Sequence, residues 1–568
     1  MNNGIPRLLS SRALSTTRRK MPDSLTIAVF STAIVLGILR FLSDEQQQSQ
    51  LGWGWNAFLL LSAIYLVLSL YSTVIYPELV SPLRYVPRAN RWLPRKLYNQ
   101  LVLQKTPVEV LTQIARERPG NSLLALREPT GVTLLVTEPS VVTELLVSHA
   151  SDFEKPTALQ GFFKLLTLDG LLTVTGDQHK SLRKRSLGHF SFRSVKELYP
   201  LMWRHALHFA KAVETKLDGV VKDENGSLTG TVELSDLTNE ITINVIGTTV
   251  FGRAYEASND LAFKCLRELL DFFLQPRAST SVYLALTFFS PPWVSRYLAF
   301  PLHKAAARTS AALEKLSLQL VAEKKANLEK DGHGADLASH MIQSGNFKDY
   351  EIASQLLTYM IAGQETTAAT IKWIAYLLAK DPDRQTLLRK EVSSALDDNT
   401  TEEDIADILE GFPYLNGVIN ETLRLYPTVP LTQREAVRDT TLGGHHIPAG
   451  TSIYLSPWLI QRKEEVWGPA AEQFCPERWI RVEDGQQKFD PSGGMKRNVD
   501  FLTFLHGPRN CIGQNFAKAE LRCLTAALAM NFEWAIDKTD QDIAVSGVVT
   551  INPEGGLPLR VKTLRKSH

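Results

Sequence analysis

Most of the signals that assign a chain to a simple class are missing from these 568 residues. The formal net charge is only +2, which is too small to indicate a nucleic-acid-binding protein. The four cysteines are Cys265, Cys475, Cys511 and Cys523, and their spacing fits neither disulfide pairs nor a metal finger. This scatter argues against a disulfide scaffold and fits a reducing compartment.

Internal repeats, low-complexity linkers and the glycine fingerprint of a flavin or nicotinamide site are also missing from the sequence. The length alone would allow three or four domains. Because no such linker divides the chain, we expect one large core behind an N-terminal extension.

The N-terminal region has an unusual composition. Residues 1–20 contain five basic residues and no acid, and two apolar stretches follow at about 25–42 and 57–76. Each stretch approaches the roughly 20 residues that a helix needs to cross a bilayer. Their connector contains Asp44 and Glu45 but no Lys or Arg, whereas both outer flanks are basic. The positive-inside rule predicts a hairpin with both ends in the cytosol.

These patterns predict four regions: a basic tail (1–20), a membrane anchor (21–76), a Pro- and Arg-rich linker (77–100) and a catalytic domain (101–568). Two alternatives remain for the N-terminus. Residues 1–20 also fit a mitochondrial transit peptide, and one apolar stretch can instead lie on a membrane surface. Because two long apolar stretches follow directly, we favour an endoplasmic reticulum anchor.

Beyond the anchor the sequence predicts a mainly α protein with small β-sheets. Apolar residues recur every three or four positions in five long stretches, at 192–216, 304–328, 350–379, 383–396 and 413–425. Strands are predicted in a hairpin at 122–136 and in two late segments, 441–453 and 545–561, which Gly and Pro interrupt.

Cys511 has the most informative surroundings in the chain. It lies in the loop Phe504-Leu-His-Gly-Pro-Arg-Asn-Cys-Ile-Gly513, just before a helical run at 514–532. The glycines let the backbone fold around the sulfur, and Arg509 and the helix N-terminus add a positive field. Such surroundings favour a thiolate that can bind haem iron. A cysteine without this frame is more often a small buried hydrophobe.

Two further motifs carry polar residues on helices. Glu365 and Thr366 lie in an otherwise apolar helix, where a Thr hydroxyl can bond the backbone one turn back and open the helix locally. An acid beside an alcohol at such a point is suited to proton delivery. Glu421 and Arg424 are three residues apart and share a helix face, so that alone they would indicate a surface ion pair.

Together these motifs resemble the cytochrome P450 family over about residues 82–568, and the linker is similar to that of fungal microsomal members. The resemblance implies the cytochrome P450 fold behind the N-terminal membrane anchor. It also implies haem b, with Cys511 as the axial ligand of the iron and Glu365 and Thr366 as the acid and alcohol that activate oxygen. The resemblance gives Glu421, Arg424 and Arg478 a structural role.

Haem carries two propionates, for which the resemblance implies four partners: His179, Arg183, Arg434 and Arg509. Many family members have Trp at the position of His179, whereas many fungal ones have His. The resemblance further implies electrons from NADPH through a separate NADPH–cytochrome P450 reductase. Its predicted docking face includes four basic residues, Lys496, Arg497, Lys518 and Arg522.

The function that we expect is a monooxygenase that hydroxylates an apolar small molecule with O2, in the secondary metabolism of a fungus, at the endoplasmic reticulum membrane. The resemblance implies that five segments form the walls of the substrate pocket: 159–175, 270–300, 360–362, 428–432 and 549–553. Two alternatives are a haem-thiolate isomerase or dehydratase that needs no reductase, and a non-catalytic haem-binding protein. Membrane lipid is an expected partner, and nucleic acid is not.

Overall fold

The computed structural model describes residues 107–253 and 300–564, except 129–130, 225, 333, 335, 397–399, 538–542 and 548, and it describes part of the stretch 60–89. The chain divides into two compact units, residues 1–84 and 85–568. The predicted span 25–42 and most of 57–76 lie outside the described residues. Within the described part of the chain, no helix is both long enough and apolar enough to cross a bilayer.

Helices dominate the second unit. Those before residue 254 are α1 (Pro107–Arg116), α2 (Pro139–Thr143), α3 (Thr157–Thr167), α4 (Gly176–Ser186), α5 (Phe192–Lys196), α6 (Tyr199–Thr215) and α7 (Leu234–Ile246). Those after residue 299 are α8 (Phe300–Asp331), α9 (Leu337–Gln343), α10 (Asp349–Ala379), α11 (Pro382–Ala395), α12 (Ile405–Gly411), α13 (Pro413–Leu425), α14 (Pro457–Ile460), α15 (Glu464–Trp467) and α16 (Gln514–Asn531).

The strands form small sheets at the edges of this helical body. A five-stranded sheet has the order β1-β2-β9-β6-β3, with β2 and β9 parallel and the other pairs antiparallel. Its strands are β1 (Leu123–Glu128), β2 (Gly131–Val136), β3 (Phe153–Glu154), β6 (Thr432–Ala436) and β9 (Ser452–Leu455). A four-stranded sheet has the order β12-β15-β5-β4, from β4 (Asp218–Lys222), β5 (Leu228–Glu233), β12 (Phe532–Ile536) and β15 (Pro558–Thr563).

Three two-stranded ribbons complete the described strands. They are β7 (Thr440–Leu442) with β8 (His445–Ile447), β10 (Ile480–Glu483) with β11 (Gln486–Phe489), and β13 (Val545–Ser546) with β14 (Asn552–Pro553).

Helix α10 is the axis of the core. It is 31 residues long, and α3, α7, α8, α13 and α16 all pack against it. Because apolar residues surround it on nearly every side, it is buried in the way expected of a helix without a polar face. It ends where Asp381 caps the next helix and Pro382 begins α11.

The mainly α fold with small sheets is confirmed, and most predicted helices lie within a few residues of their expected bounds. The helix predicted at 192–216 is wrong as a single element, because it breaks between α5 and α6. Pro200 stands in the first turn of α6, where its missing N–H is tolerated and continuation from α5 is disfavoured. The predicted strand 441–453 divides into three short strands separated by turns.

Candidate active site

A cavity of about 850 Å³ lies between α10, α3, the segment after α13 and the loop before α16. Four of the five predicted pocket segments contribute to its walls, and the fifth, 270–300, lies outside the described residues apart from Phe300. Its apolar lining includes Leu159, Phe162, Leu166, Ile361, Val429 and Val549. The cavity is thus suited to an apolar molecule.

The Cys511 loop forms one wall of this cavity. Its turn depends on Gly507, which has φ +73°. Gly507 lies against the helical turn Glu144–Ser148 that follows α2, and an added Cβ would stand 1.9 Å from the carbonyl oxygen of Leu146. The loop closes when the N–H of Cys511 donates to the carbonyl of Phe504 at 2.8 Å. Gly513 then begins α16. Together these contacts point Cys511 into the cavity.

The surroundings of Cys511 determine its charge. Burial raises the pKa of the Cys511 thiol, while the N–H of Gly513 and the nearby Arg183 guanidinium lower it. The side chain has accessible surface, but this surface faces the cavity, so burial remains the largest influence. The loop by itself therefore does not hold Cys511 in its deprotonated, thiolate form. A bound metal cation would, because a coordinating thiol is deprotonated.

Helix α10 forms another wall of the cavity and carries Thr366. The Thr366 hydroxyl donates to the carbonyl of Ala362 at 2.7 Å, and Thr370 repeats this bond to the carbonyl of Thr366 at 2.8 Å. The expected hydroxyl–backbone bond is therefore present. The expected local opening of the helix is not, because α10 runs without a break through these residues.

Glu365 lines the same cavity but directs its carboxylate toward the β13–β14 ribbon. Its Oε1 accepts hydrogen bonds from the Asn552 amide at 3.0 Å and from the Thr550 hydroxyl at 3.2 Å. Glu365 and Thr366 thus stand side by side, with the acid tethered to a neighbouring element and the alcohol against the cavity.

A cluster of basic side chains lines another side of the cavity. Burial, followed by the charges of Arg509 and Lys155, lowers the pKa of His179 to about 3, so this imidazole is neutral at physiological pH. Burial, followed by Arg434 and Arg509, lowers the pKa of Lys155 to about 7. The mutual repulsion shows that these groups converge on one region.

This cluster has more positive charge than its described neighbours compensate. Arg509 forms an ion pair with Glu154, yet its second nitrogen, Nη1, is buried without a hydrogen-bond acceptor. Burial lowers the pKa of Arg434 to about 10, and its Nη1 donates only to Thr432 and to the carbonyl of Gln433. Buried cations require anionic partners. Two carboxylates of a bound group would fit, as haem propionates do.

Arg183 also adds positive charge near His179, whose pKa it helps to lower. It donates to both the carbonyl and the side-chain oxygen of Asn510, next to Cys511 in the sequence. Burial lowers the pKa of Arg183, and the nearby Cys511 raises it. In this structure Arg183 therefore supports the Cys511 loop.

The structure brings Glu421, Arg424 and Arg478 together in one network, in which Glu421 and Arg424 are fully buried and Arg478 is partly buried. Glu421 accepts two hydrogen bonds from Arg424, both at 2.8 Å, and one from Arg478 at 3.0 Å. Burial would raise the pKa of Glu421, but these bonds and charges hold it below its usual range. Because both Glu421 and Arg424 are 0% exposed, the interpretation of this pair as a surface ion pair is excluded.

The predicted docking face is wrong at Arg522. This side chain is buried and donates to Asn416, Tyr199 and Glu410, which ties α16 to α13, α6 and α12. Lys518 is half-buried and donates to Asn420. Both face inward because α16 packs between helices at these turns.

Sequence reasoning missed two titratable groups, Lys155 in the cavity wall and Glu520 in the core behind it. Lys155 follows an ordinary Glu in the sequence, and only the fold places it beside Arg434 and Arg509. Glu520, on α16, is 0% exposed and both of its carboxyl oxygens lack a donor among the described residues. Burial raises the pKa of Glu520 well above its usual value, and the nearby Thr367 hydroxyl lowers it by less.

Comparison with known proteins agrees with this geometry. Residues 87–558 match the family model of cytochrome P450. The chain is 31% identical to the cytochrome P450 monooxygenase ptmK of Penicillium ochrochloron, over 89% of this chain and 98% of that protein. It is 34% identical to the cytochrome P450 monooxygenase sphH of Aspergillus fumigatus, over 88% of this chain and 91% of that protein.

A relative outside the fungi is the cytokinin hydroxylase of Arabidopsis thaliana, which is 29% identical over 76% of this chain and 79% of that protein. The matches span the cavity, the Cys511 loop and the buried cluster that fits an anionic cofactor. The chain therefore belongs to the cytochrome P450 family and is one of its monooxygenases, a class that uses haem iron bound by a cysteine thiolate.

Proposed function

We propose that this monooxygenase hydroxylates an apolar small molecule of fungal secondary metabolism, at the endoplasmic reticulum membrane and with electrons from NADPH–cytochrome P450 reductase. The observation that carries the proposal is that Cys511 and the pair Glu365–Thr366 line one largely apolar cavity. In the overall reaction, substrate, O2, NADPH and a proton give hydroxylated product, water and NADP⁺.

Haem, when bound, supplies the iron chemistry that activates O2 and transfers one oxygen atom to the substrate. Cys511 would hold the iron. Arg434, Arg509 and Lys155 would balance the propionates, and the neutral His179 would donate a ring N–H to them. Binding of the two propionates would explain why a cavity with an apolar lining also contains the cations Lys155, Arg434 and Arg509.

The two protons that oxygen reduction consumes must cross an otherwise apolar lining. Thr366 presents a hydroxyl at the cavity and Glu365 stands beside it with its carboxylate among hydrogen-bond donors. We assign Thr366 to hold the last proton position and Glu365 to supply it. The apolar walls exclude other water, so protons arrive through this pair.

The proposed reductase would bind where the Cys511 loop approaches the surface. Lys496 and Arg497 are exposed there and support a basic docking patch, although Arg522 does not belong to it. The support for the membrane location is the N-terminal sequence, with its two apolar stretches and basic flanks.

The first experiment measures haem ligation. Wild-type protein, reduced and exposed to carbon monoxide, should give the absorption spectrum of a thiolate-bound haem, and Cys511→Ser should lose it. As a control, Cys475→Ser should keep it, because this cysteine is far along the chain from the loop and only its backbone contacts the Glu421 network.

The second experiment identifies the reaction. Purified protein with reductase and NADPH is given a panel of terpenoid, polyketide and alkaloid intermediates, and products are identified by mass spectrometry. We expect a gain of one oxygen atom that depends on NADPH. Turnover without reductase or NADPH would instead support the isomerase or dehydratase alternative.

A further inference from the structure

Lys372 is a buried cation with no part in the mechanism above. It lies on α10 and only 4% of the residue is exposed. Lysine is rarely buried unless it is paired, and burial lowers the pKa of Lys372. Yet among the described residues no hydrogen bond or ion pair reaches its ammonium group directly. A position of this kind needs a physical reason.

Lys372 stands on the same face of α10 as Glu365. The two residues are seven positions apart, and two turns of an α-helix take about 7.2 residues. The segment at β14 runs along this face. Asn552 donates to Glu365 at 3.0 Å, and the Trp373 indole donates to the carbonyl of Ile551 at 3.0 Å. Residues 551–552 therefore contact α10 at Glu365 and at Trp373, the residue that follows Lys372.

Asn552 offers the acceptor that Lys372 lacks. Its amide nitrogen is used by Glu365, but its carbonyl oxygen, Oδ1, is buried without a donor. An ammonium group has three donors and no acceptor. One water molecule between the Lys372 ammonium and Asn552 Oδ1 would satisfy both groups, as buried waters do between polar atoms that do not touch.

The charges around Lys372 extend from the cavity to the protein surface. Three carboxylates act on it, in decreasing order Glu365, Glu233 and Asp236. Glu233 and Asp236 are exposed at the start of α7, and Glu233 also accepts from the N–H groups of Ser235 and Leu557. Lys372 is thus the buried charge between two surface acids and the acid at the cavity.

We propose that Lys372, a water molecule and Asn552 form a proton inlet that connects Asp236 and Glu233 at the surface with Glu365. The proposal rests on the proposed role of Glu365. After Glu365 has given a proton toward the cavity, the Lys372 ammonium passes one to it through the water. Lys372 then takes a proton from solvent by way of the surface carboxylates. No electrons move, and each proton that leaves is replaced from bulk water.

The kinetic test uses holoenzyme with reductase and NADPH and no added substrate. Under these conditions O2, two electrons and two protons give hydrogen peroxide, so its release depends on proton supply. Lys372→Met should lower the rate at least about tenfold, in the range of lost acid–base catalysis, and should raise the solvent deuterium isotope effect. Lys372→Arg keeps the positive charge but should be as slow as Lys372→Met, because a guanidinium does not give up its proton. Lys380→Met, which changes an exposed lysine just beyond α10, should alter neither the rate nor the isotope effect.

A second measurement does not depend on turnover. Urea unfolding midpoints of the holoenzyme are compared for Lys372→Met, Asn552→Leu and the double variant. If the two residues share one water, the double variant should lose less than the sum of the single losses. Additive losses would show that they do not communicate and would overturn the proposal.

The kinetic outcomes separate this proposal from the proposed function. A slow Lys372→Met enzyme with an unchanged isotope effect would mean a merely structural lysine and would also overturn the inlet. If Lys372→Met does not fold, Lys372→Gln keeps a hydrogen-bonding group without the charge and should show the same kinetics. If Glu365→Gln leaves the rate of peroxide release and the isotope effect unchanged, both the proposed role of Glu365 and the inlet are overturned. If Glu365→Gln changes them but the Lys372 variants do not, only the inlet is overturned.

Discussion

At the scale of single residues, the buried network around Glu421 shows how opposing effects combine. Removing a carboxylate from water is costly, and burial is indeed the largest influence on the pKa of Glu421. The charge persists because Glu421 also accepts from Arg424, from Arg478, from the indole of Trp479 and from the backbone of Cys475. Each carboxylate oxygen is fully used, which is the condition under which a buried charge is tolerated.

Glu421→Gln should therefore destabilise the fold strongly. It leaves Arg424 buried with less compensating charge, and breaking a buried pair costs about 3–5 kcal/mol. Urea unfolding of the holoenzyme measures this loss. The matched control is Asp177→Asn, since the Asp177–Lys180 pair is 97% and 75% exposed and should change stability by less than about 0.5 kcal/mol. Equal losses in the two variants would contradict the prediction.

Lys155 should make haem affinity depend on pH. Without the propionates, burial and two arginines lower its pKa from 10.5 to about 7, and propionates beside it would raise that value. Above pH 7 the free site has lost a proton that the bound site keeps, so affinity falls as pH rises. Transfer of haem to an acceptor globin, measured at a series of pH values, should show this.

Two variants of Lys155 test the cause of this pH dependence. Lys155→Met should release haem faster at pH 6 and should remove the pH dependence that begins near 7. Lys155→Arg should retain haem with little change over the same range, because a guanidinium stays charged. An unchanged pH profile in Lys155→Met would assign the effect to another group.

At the scale of elements, the Cys511 loop depends on one backbone position. Gly507→Ala should destabilise the holoenzyme by at least about 2 kcal/mol and promote loss of haem, because φ +73° disfavours a side chain and the Cβ would meet the Leu146 carbonyl. The control is Gly161→Ala in α3, where an added Cβ meets nothing within 4 Å. That change should stabilise the helix by about 0.5–1 kcal/mol.

Unfolding midpoints and haem absorbance, recorded together, distinguish these outcomes. A Gly507→Ala protein that binds haem as well as wild type would mean that the Cys511 loop can move away from the helical turn Glu144–Ser148 without loss of haem binding. Such a result would contradict the close approach at Leu146.

At the scale of the whole molecule, the second compact unit begins at Tyr85, whereas the predicted anchor ends near residue 76. A chain without residues 1–76 should therefore still fold and give the carbon monoxide spectrum of the full chain. We expect it to move from the membrane fraction to the supernatant after alkaline carbonate extraction. A truncated protein that remains with the membrane would show that the catalytic unit carries a further membrane contact.

Local patterns predicted much of this fold because helix formation depends mainly on residues that are close in the sequence. Helix α13 begins and ends where the periodicity of 413–425 places it. The break before α6 was missed, although Pro200 marks it, because apolar spacing continues across the break. The prediction that Cys511 is a ligand likewise came from local sequence, since glycines, Arg509 and a helix start all lie within a few residues.

By itself the sequence determined the family, the place of Cys511 in a glycine-bracketed loop before a helix, the polar pair on α10 and the helical character of the core. Only the tertiary structure decided which charges meet. Only the fold brings Lys155 beside Arg434 and Arg509, turns Arg522 inward, buries Lys372 on α10 and leaves Glu520 without a donor among the described residues. Their electrostatic character arises from burial and convergence, and neither is a property of a short stretch of sequence.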